Sequence, residues 1–174
     1  MAAGYRVPEA VNLFNVYNGT NRQVGVTGAV EIPSFSYLTN TISAAGMAGE
    51  YDAPVIGHVG SQKLKIPFGQ IDEREFFALV ESENDIVLRA SVQTRQVDSS
   101  KIEMVPMVIT VRGATTEFEP GTVEKAKAMN ASITKEVAYI KIVINNVVCL
   151  ELDKFNSIFI VNNKDMFEKV RAQV

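Results

Sequence analysis

Between residues 24 and 68 the chain alternates apolar and polar positions on either side of a soft centre. Phe35, Tyr37, Thr39 and Thr41 fall on one side of an extended segment, and Ser36, Leu38, Asn40 and Ile42 on the other. That is the period-2 signature of a strand with two different faces. The centre, residues 44–54, is built of Gly, Ala and small polar residues. The spacing predicts a long hairpin with arms at 34–43 and 54–68. Residues 34–45 alone would reach about 40 Å at roughly 3.3 Å per residue. A compact globule of this length is itself only about 40 Å across. Such a hairpin overhangs its own domain, and its unpaired edges ask for a neighbour.

The same reading carries along the chain. Residues 11–17 form a first strand, closed by the Asn18-Gly19 turn signal. Residues 24–32 form a second, with Pro33 as a bend or edge marker. Residues 71–82 read as a helix: Asp72 caps its start, Glu75 completes a capping box, and Phe76, Leu79 and Val80 share one face with Phe77 beside them. Residues 85–97 and 102–112 are two further strands joined by the turn Asp98-Ser99-Ser100, and Pro106 marks a bulge or an edge. In the first of them Ile86, Leu88, Ala90 and Val92 face one way, and Arg89, Ser91, Gln93 and Arg95 the other. Residues 115–131 read as a polar linker with a short helical turn at 123–129. A last hairpin, 131–144 and 147–153, turns about Asn145-Asn146, which tolerate positive φ. Asn163 caps a short final helix with Met166, Phe167 and Val170 on one side. The fold class is mainly β with one to two helices: an antiparallel β-sandwich or split barrel with a long protruding hairpin and one packed α-helix.

Composition narrows the function. A chain of 174 residues with 47% hydrophobic content buries one sizeable core, so a single domain over 1–174 is expected. The formal net charge of −3 argues against a protein that grips nucleic acid, which needs clustered Lys and Arg to release counterions. It places no bar on nucleic acid passing by. No apolar run approaches the roughly 18 residues that span a membrane. The first residues lack a charged segment followed by an apolar one, so no secretory signal is expected. Cys149 is the only cysteine, which excludes an intrachain disulfide, and it is expected to be buried as a small hydrophobe.

Catalytic chemistry is not written in the chain. Gly46-Met47-Ala48-Gly49 and Gly57-His58-Val59-Gly60 lack the spacing and the following helix of a phosphate-binding loop. No serine sits in a nucleophile elbow. His58 is the only histidine, so a multi-histidine metal site is impossible. The acids Asp72, Glu73 and Glu75 suit a helix start for dipole and capping reasons. The expectation is a non-enzymatic building block with no cofactor and no metal.

Three stretches carry a family resemblance: VNLFNVY at 11–17, VEIPSFSYLTNTISAAGMAGEYDAPV at 30–55, and QKLKIPFG at 62–69. VITVRGATTEFEPG at 108–121 and EVAYIKIVINNVVCLELDKFNSIFIVNNKD at 136–165 extend it over nearly the whole chain. Together they resemble the major tail tube protein of contractile-tailed bacteriophages and R-type bacteriocins. The resemblance implies six-membered rings that stack into a hollow tube, each subunit lending strands to a continuous β-barrel around the lumen. It implies docking of rings through the long loop, here Gly46, Met47, Ala48, Gly49, Glu50, Tyr51 and Asp52, together with the chain ends. Its partners would be further copies of itself, a surrounding contractile sheath and a baseplate initiator. In a phage, DNA would pass through the lumen without tight binding. The particle would be a virion tail or a bacteriocin, assembled in the host cytoplasm.

The alternation then nominates a lumen lining: Thr39, Thr41, Gln62, Ser91 and Gln93, small polar groups that must point to water or to another chain. Arg89 and Arg95 share that face and would hold phosphate unless Glu or Asp from a neighbour neutralises them. Two alternatives stand beside this reading: a small β-barrel module that binds a ligand or a protein, and a tube-like protein of a type VI secretion system.

Overall fold

The computed structural model describes residues 5–174. The chain is mainly β and antiparallel. In order it forms β1 (Arg6–Asn18), β2 (Asn21–Gln23), β3 (Tyr37–Ile42), β4 (Tyr51–Val59), β5 (Lys63–Phe68), α1 (Phe76–Glu81), β6 (Ile86–Gln96), β7 (Ile102–Glu119), β8 (Ala131–Ile144), β9 (Val147–Asp153), β10 (Ile158–Val161), β11 (Lys164–Asp165) and α2 (Glu168–Arg171). The main sheet runs β11-β10-β9-β8-β7-β6-β1-β2, with β5 also on β8, while β3 and β4 form a separate two-stranded ribbon. No closed barrel forms among the described residues.

β8 organises the sheet. β7 covers one of its edges from Ser132 to Ile144. The other edge is shared end to end, by β5 along Ala131–Glu136 and by β9 along Tyr139–Ile144. The β7–β8 ladder slips between Arg112 and Gly113 and again between Thr115 and Glu117. Such bulges increase twist and bend the strand. Gly113 is required at the first: any Cβ there would overlap the carbonyl oxygen of Glu136.

The inward faces meet in one core. Val16, Leu88 and Ile109 stand in register across β1, β6 and β7, beside Ile86 and Val111. Leu64, Ile66 and Phe68 of β5 and Ile133 of β8 complete the packing with Phe76 and Leu79 of α1. Phe68 and Phe76 meet edge to face, with ring centroids 5.3 Å apart, the favoured aromatic geometry.

Several expectations are corrected. Residues 24–32 are not a strand; they make only isolated bridges, Val26 to Phe68 and Glu31 to Lys65, because Gly25 and Gly28 take φ of +98° and +70°. The arm at 54–68 is two strands serving two sheets. The ribbon arms are six and nine residues long, about 20 and 30 Å, well short of the expected reach. The helix at 71–82 shortens to α1. Asp72 caps the turn before it, its Oδ1 accepting from the backbone N–H of Arg74, Glu75 and Phe76. Glu75 does not close a capping box; its carboxylate accepts from the Val24 N–H instead. The start of the supposed linker at 115–131 belongs to β7, and 123–129 makes a turn but no helix. Asn163, at φ +64°, is a turn residue; α2 has Phe167 at its N-cap position and no side-chain cap, and Asp165 Oδ1 accepts from the Phe167 N–H at 2.9 Å in the turn before it.

Lys135 is fully buried, 0% exposed. Its Nζ donates to the Ser82 carbonyl at 2.8 Å, and Thr115 Oγ1 donates to the Val80 carbonyl at 2.8 Å. The sheet thus satisfies carbonyls that the end of α1 leaves open. Burial pushes the Lys135 ammonium below its usual 10.5. The unfolded chain therefore binds the extra proton between the folded value and 10.5, and stability rises with pH across that window.

Two tests follow from this packing. Gly113→Ala should cost about 4 kcal/mol in urea unfolding, because backbone and not a flexible side chain blocks the new methyl. Lys135→Met should lie within about 1 kcal/mol of the parent at neutral pH, where the buried charge is a liability. Its standing relative to the parent should fall as pH approaches 10.5, as paired unfolding curves at the two pH values would measure.

Candidate functional site

The outward face of the sheet spans five strands. On β6 the alternation that buries Ile86 and Leu88 turns Val87, Arg89, Ser91, Gln93 and Arg95 outward. Their cross-strand neighbours are Asn15, Leu13, Ala10 and Val7 on β1, and Val108, Pro106, Met104 and Ile102 on β7. The same face continues through Arg112 on β7, Tyr139 and Lys141 on β8, and Glu151 on β9.

Most of its charges are neutralised within the chain. Arg95 Nε donates to Glu9 Oε1 at 2.5 Å, and Gln93 Nε2 donates to Glu9 Oε2 at 2.7 Å. These bonds hold the Glu9 carboxyl below the usual carboxylate range. Arg112 forks onto Asp85 at 2.7 and 3.1 Å, which raises the guanidinium further, and lies over the Tyr139 ring at 5.3 Å. Tyr139 donates to Glu151, which also pairs with Lys141 at 3.2 Å. Burial, then the bond to that carboxylate, push the Tyr139 hydroxyl up to about 12. Arg89 forms no ion pair among the described residues and rests on the Tyr17 ring, 5.0 Å from its centroid. The expected neutralisation of Arg95 thus comes from β1 of its own chain, and Arg89 takes an aromatic face in place of an acid.

The nominated lining divides. Arg89, Ser91, Gln93 and Arg95 share the sheet face. Thr39 and Thr41 lie apart on the ribbon, where Thr41 Oγ1 donates to Asp52 Oδ1 at 2.6 Å. Gln62 contradicts the expectation that it points to water: it is 2% exposed, its amide buried without a protein partner among the described residues. The break between β4 and β5 turns it inward. Asp85, Arg112, Tyr139, Lys141, Glu151 and Glu9 were missed, although Tyr139 and Lys141 alternate with core residues as clearly as Arg89 does. Cys149 is half-buried on the same face as Glu151, one residue out of step with the core side chain Leu152 and its neighbour Leu150, and not a core residue.

The ribbon supplies the second feature. Residues 44–50 form an exposed turn in which the Met47 N–H bonds to the Ala44 carbonyl at 3.1 Å, with Gly46 at φ +96°. Of the nominated loop, Gly46 to Glu50 lie in this turn, whereas Tyr51 and Asp52 begin β4. Large apolar side chains stay in solvent on both features, among them Leu13 at 64% and Ile56 at 62% exposure. In β1 only Val16 to Asn18 pair with β2, which leaves the outer edge of residues 6–15 without a partner strand among the described residues. Apolar patches and open edges of this kind mark surfaces built for contact.

Among the described residues no group of three metal-ligating side chains occurs, and no helix is long and apolar enough to cross a membrane. The model of the family described as phage tail tube protein FII matches residues 8–174. The chain belongs to this family of tail tube proteins. No curated protein sequence matches it. Among solved structures it is similar to the sheath/tube terminator of the extracellular contractile injection system PVC in its extended state, at 16% identity and TM-score 0.55, over 78% of this chain and 96% of that one. It is similar to the tube-terminating cap of the anti-feeding prophage, at 14% identity and TM-score 0.55, over 82% and 93%. It also matches a chain of the PVC sheath–tube complex, at 17% identity and TM-score 0.53, over 80% and 93%. At these identities the likeness is one of fold.

Glu9→Gln tests the neutralised face. Freed of its carboxylate, Arg95 becomes available to phosphate. The variant should bind duplex DNA more tightly at low salt and show a salt slope steeper by roughly one counterion. Fluorescence anisotropy across a salt series measures this.

Proposed function

We propose that this chain is the repeating subunit of the tail tube of a contractile injection particle, in which hexameric rings stack into a hollow tube. Family membership over residues 8–174 is the observation that carries the reading. The geometry supports it. Closing a ring needs a heterologous contact whose rotation returns to its start, and the open outer edge of β1 offers a backbone template for the next copy. A wall built that way would set the β1–β6–β7–β8 face toward the lumen. Its ion pairs withhold the counterion-release affinity that would otherwise hold a passing polyanion. In a phage the tube conducts DNA; in an R-type bacteriocin the same tube punctures the envelope. A contractile sheath surrounds it and a baseplate component nucleates it, in the host cytoplasm.

The likeness to a tube terminator and a tube cap favours a second reading, a ring that ends a tube rather than extends it. Negative-stain microscopy at rising protein concentration, with baseplate added as nucleator, separates the two. Long tubes support the subunit; single rings support the terminator; a monomer throughout contradicts both. Replacing residues 46–50 by a short Gly-Ser turn should leave a folded domain and rings but no long tubes. That turn is exposed throughout and contributes nothing to the core. Unfolding of the variant in circular dichroism would contradict this assignment.

A further inference from the structure

The β3–β4 ribbon has no strand pairing with the main sheet among the described residues, so something else must set its direction. At its root, residues 55–58 bulge from β4 opposite Leu38 alone. Gly57, at the bulge, has φ +78°, and a Cβ on it would stand 2.7 Å from the Phe167 ring. The His58 ring meets Phe167 edge-on, with centroids 5.3 Å apart and planes at 80°. Tyr37 packs on Phe159 at 6.0 Å, and Met166 shares an apolar notch with Tyr37, Pro54, Val55 and Ile56. The turn that carries Phe167 is itself fixed. Its N–H is held by Asp165, Asp165 pairs with Arg171, and Arg171 Nη1 donates to the Ser157 carbonyl at 2.7 Å.

We propose that Phe167 is a positioning residue for the hairpin: it locks the ribbon at one angle to the main sheet, and so couples the C-terminal segment to the loop at the ribbon's far end. The proposal rests on the reading of that loop as the ring-stacking element. Leverage makes the lock necessary. The ribbon and its turn extend about 25 Å beyond the root at roughly 3.3 Å per residue, so a swing of about 10° moves the tip by about 4 Å. That is enough to miss a docking surface on the next ring. A bulge with a glycine at its apex is a natural hinge, and the Phe167 ring fills the space into which it would fold.

Phe167→Ala and Phe167→Leu are compared by hydrogen exchange and by microscopy of assembled tubes. For Phe167→Ala the expected result is at least tenfold faster exchange at residues 51–59, unchanged exchange in β6–β8, and loss of long tubes. Phe167→Leu, which keeps apolar bulk over Gly57, should restore most of the tube yield. Faster exchange throughout the sheet would mean a general loss of packing and would overturn the positioning role. So would normal tube yield from Phe167→Ala in a preparation where the Gly-Ser loop variant makes none. If the loop variant also makes normal tubes, the stacking reading itself fails, and exchange at 51–59 alone then decides whether Phe167 holds the ribbon. Should Phe167→Ala not fold, Phe167→Val, which has no ring to reach Gly57 and His58, gives the same readouts.

Discussion

β8 is hydrogen-bonded along both edges, and it can serve both halves of the sheet only because the β7–β8 ladder bends at Gly113. The bend lets one long strand pair with β9 at one end and β5 at the other, and Leu64, Ile66 and Phe68 share one core with Ile109 and Val111. The helix then closes the core, and its open carbonyls are met by Thr115 and Lys135 from the same two strands. A buried ammonium is a costly way to end a helix. The Lys135 Nζ meets the Ser82 carbonyl, as the Thr115 hydroxyl meets that of Val80.

One face of this sheet buries the core and the other faces solvent. The outward face has few free charges and much apolar surface, an unusual combination for a monomer in water. Arg95 with Glu9, Arg112 with Asp85, and Lys141 with Glu151 cancel in pairs. Exposed ion pairs contribute little to stability, so their consequence is the potential they remove. A wall that neither repels nor holds a polyanion suits a conduit, and Leu13, Met104 and Ile102 give that same wall its apolar surface.

Much of this was legible in the chain. The alternation on β6 separated Ile86 and Leu88 from Arg89 to Arg95, and Asn145-Asn146 turned where expected, at φ +51° and +62°. The failures have physical causes. Residues 24–32 carry strand-forming Val and Ile, but two glycines in the left-handed region override them. Gln62 lies at a junction between two sheets, where period-2 alternation breaks down. Glu9 is the partner of Arg95 across 86 positions, and no local pattern announces a contact that only the β1–β6 register creates. Gly113 looks like any strand glycine until the Glu136 carbonyl is set against it. The expectation of a ring rests on family resemblance alone, because edges and apolar patches ask for a neighbour without saying how many.

The central claim is that the face carrying Glu9, Arg95 and Arg112 lines a tube. A cryo-electron microscopy reconstruction of the assembled particle tests it most directly. The account predicts stacked six-membered rings with these side chains toward the lumen and residues 46–50 against the next ring. A reconstruction with Arg95 and Arg112 facing the sheath, or with no ring of this chain at all, would contradict it.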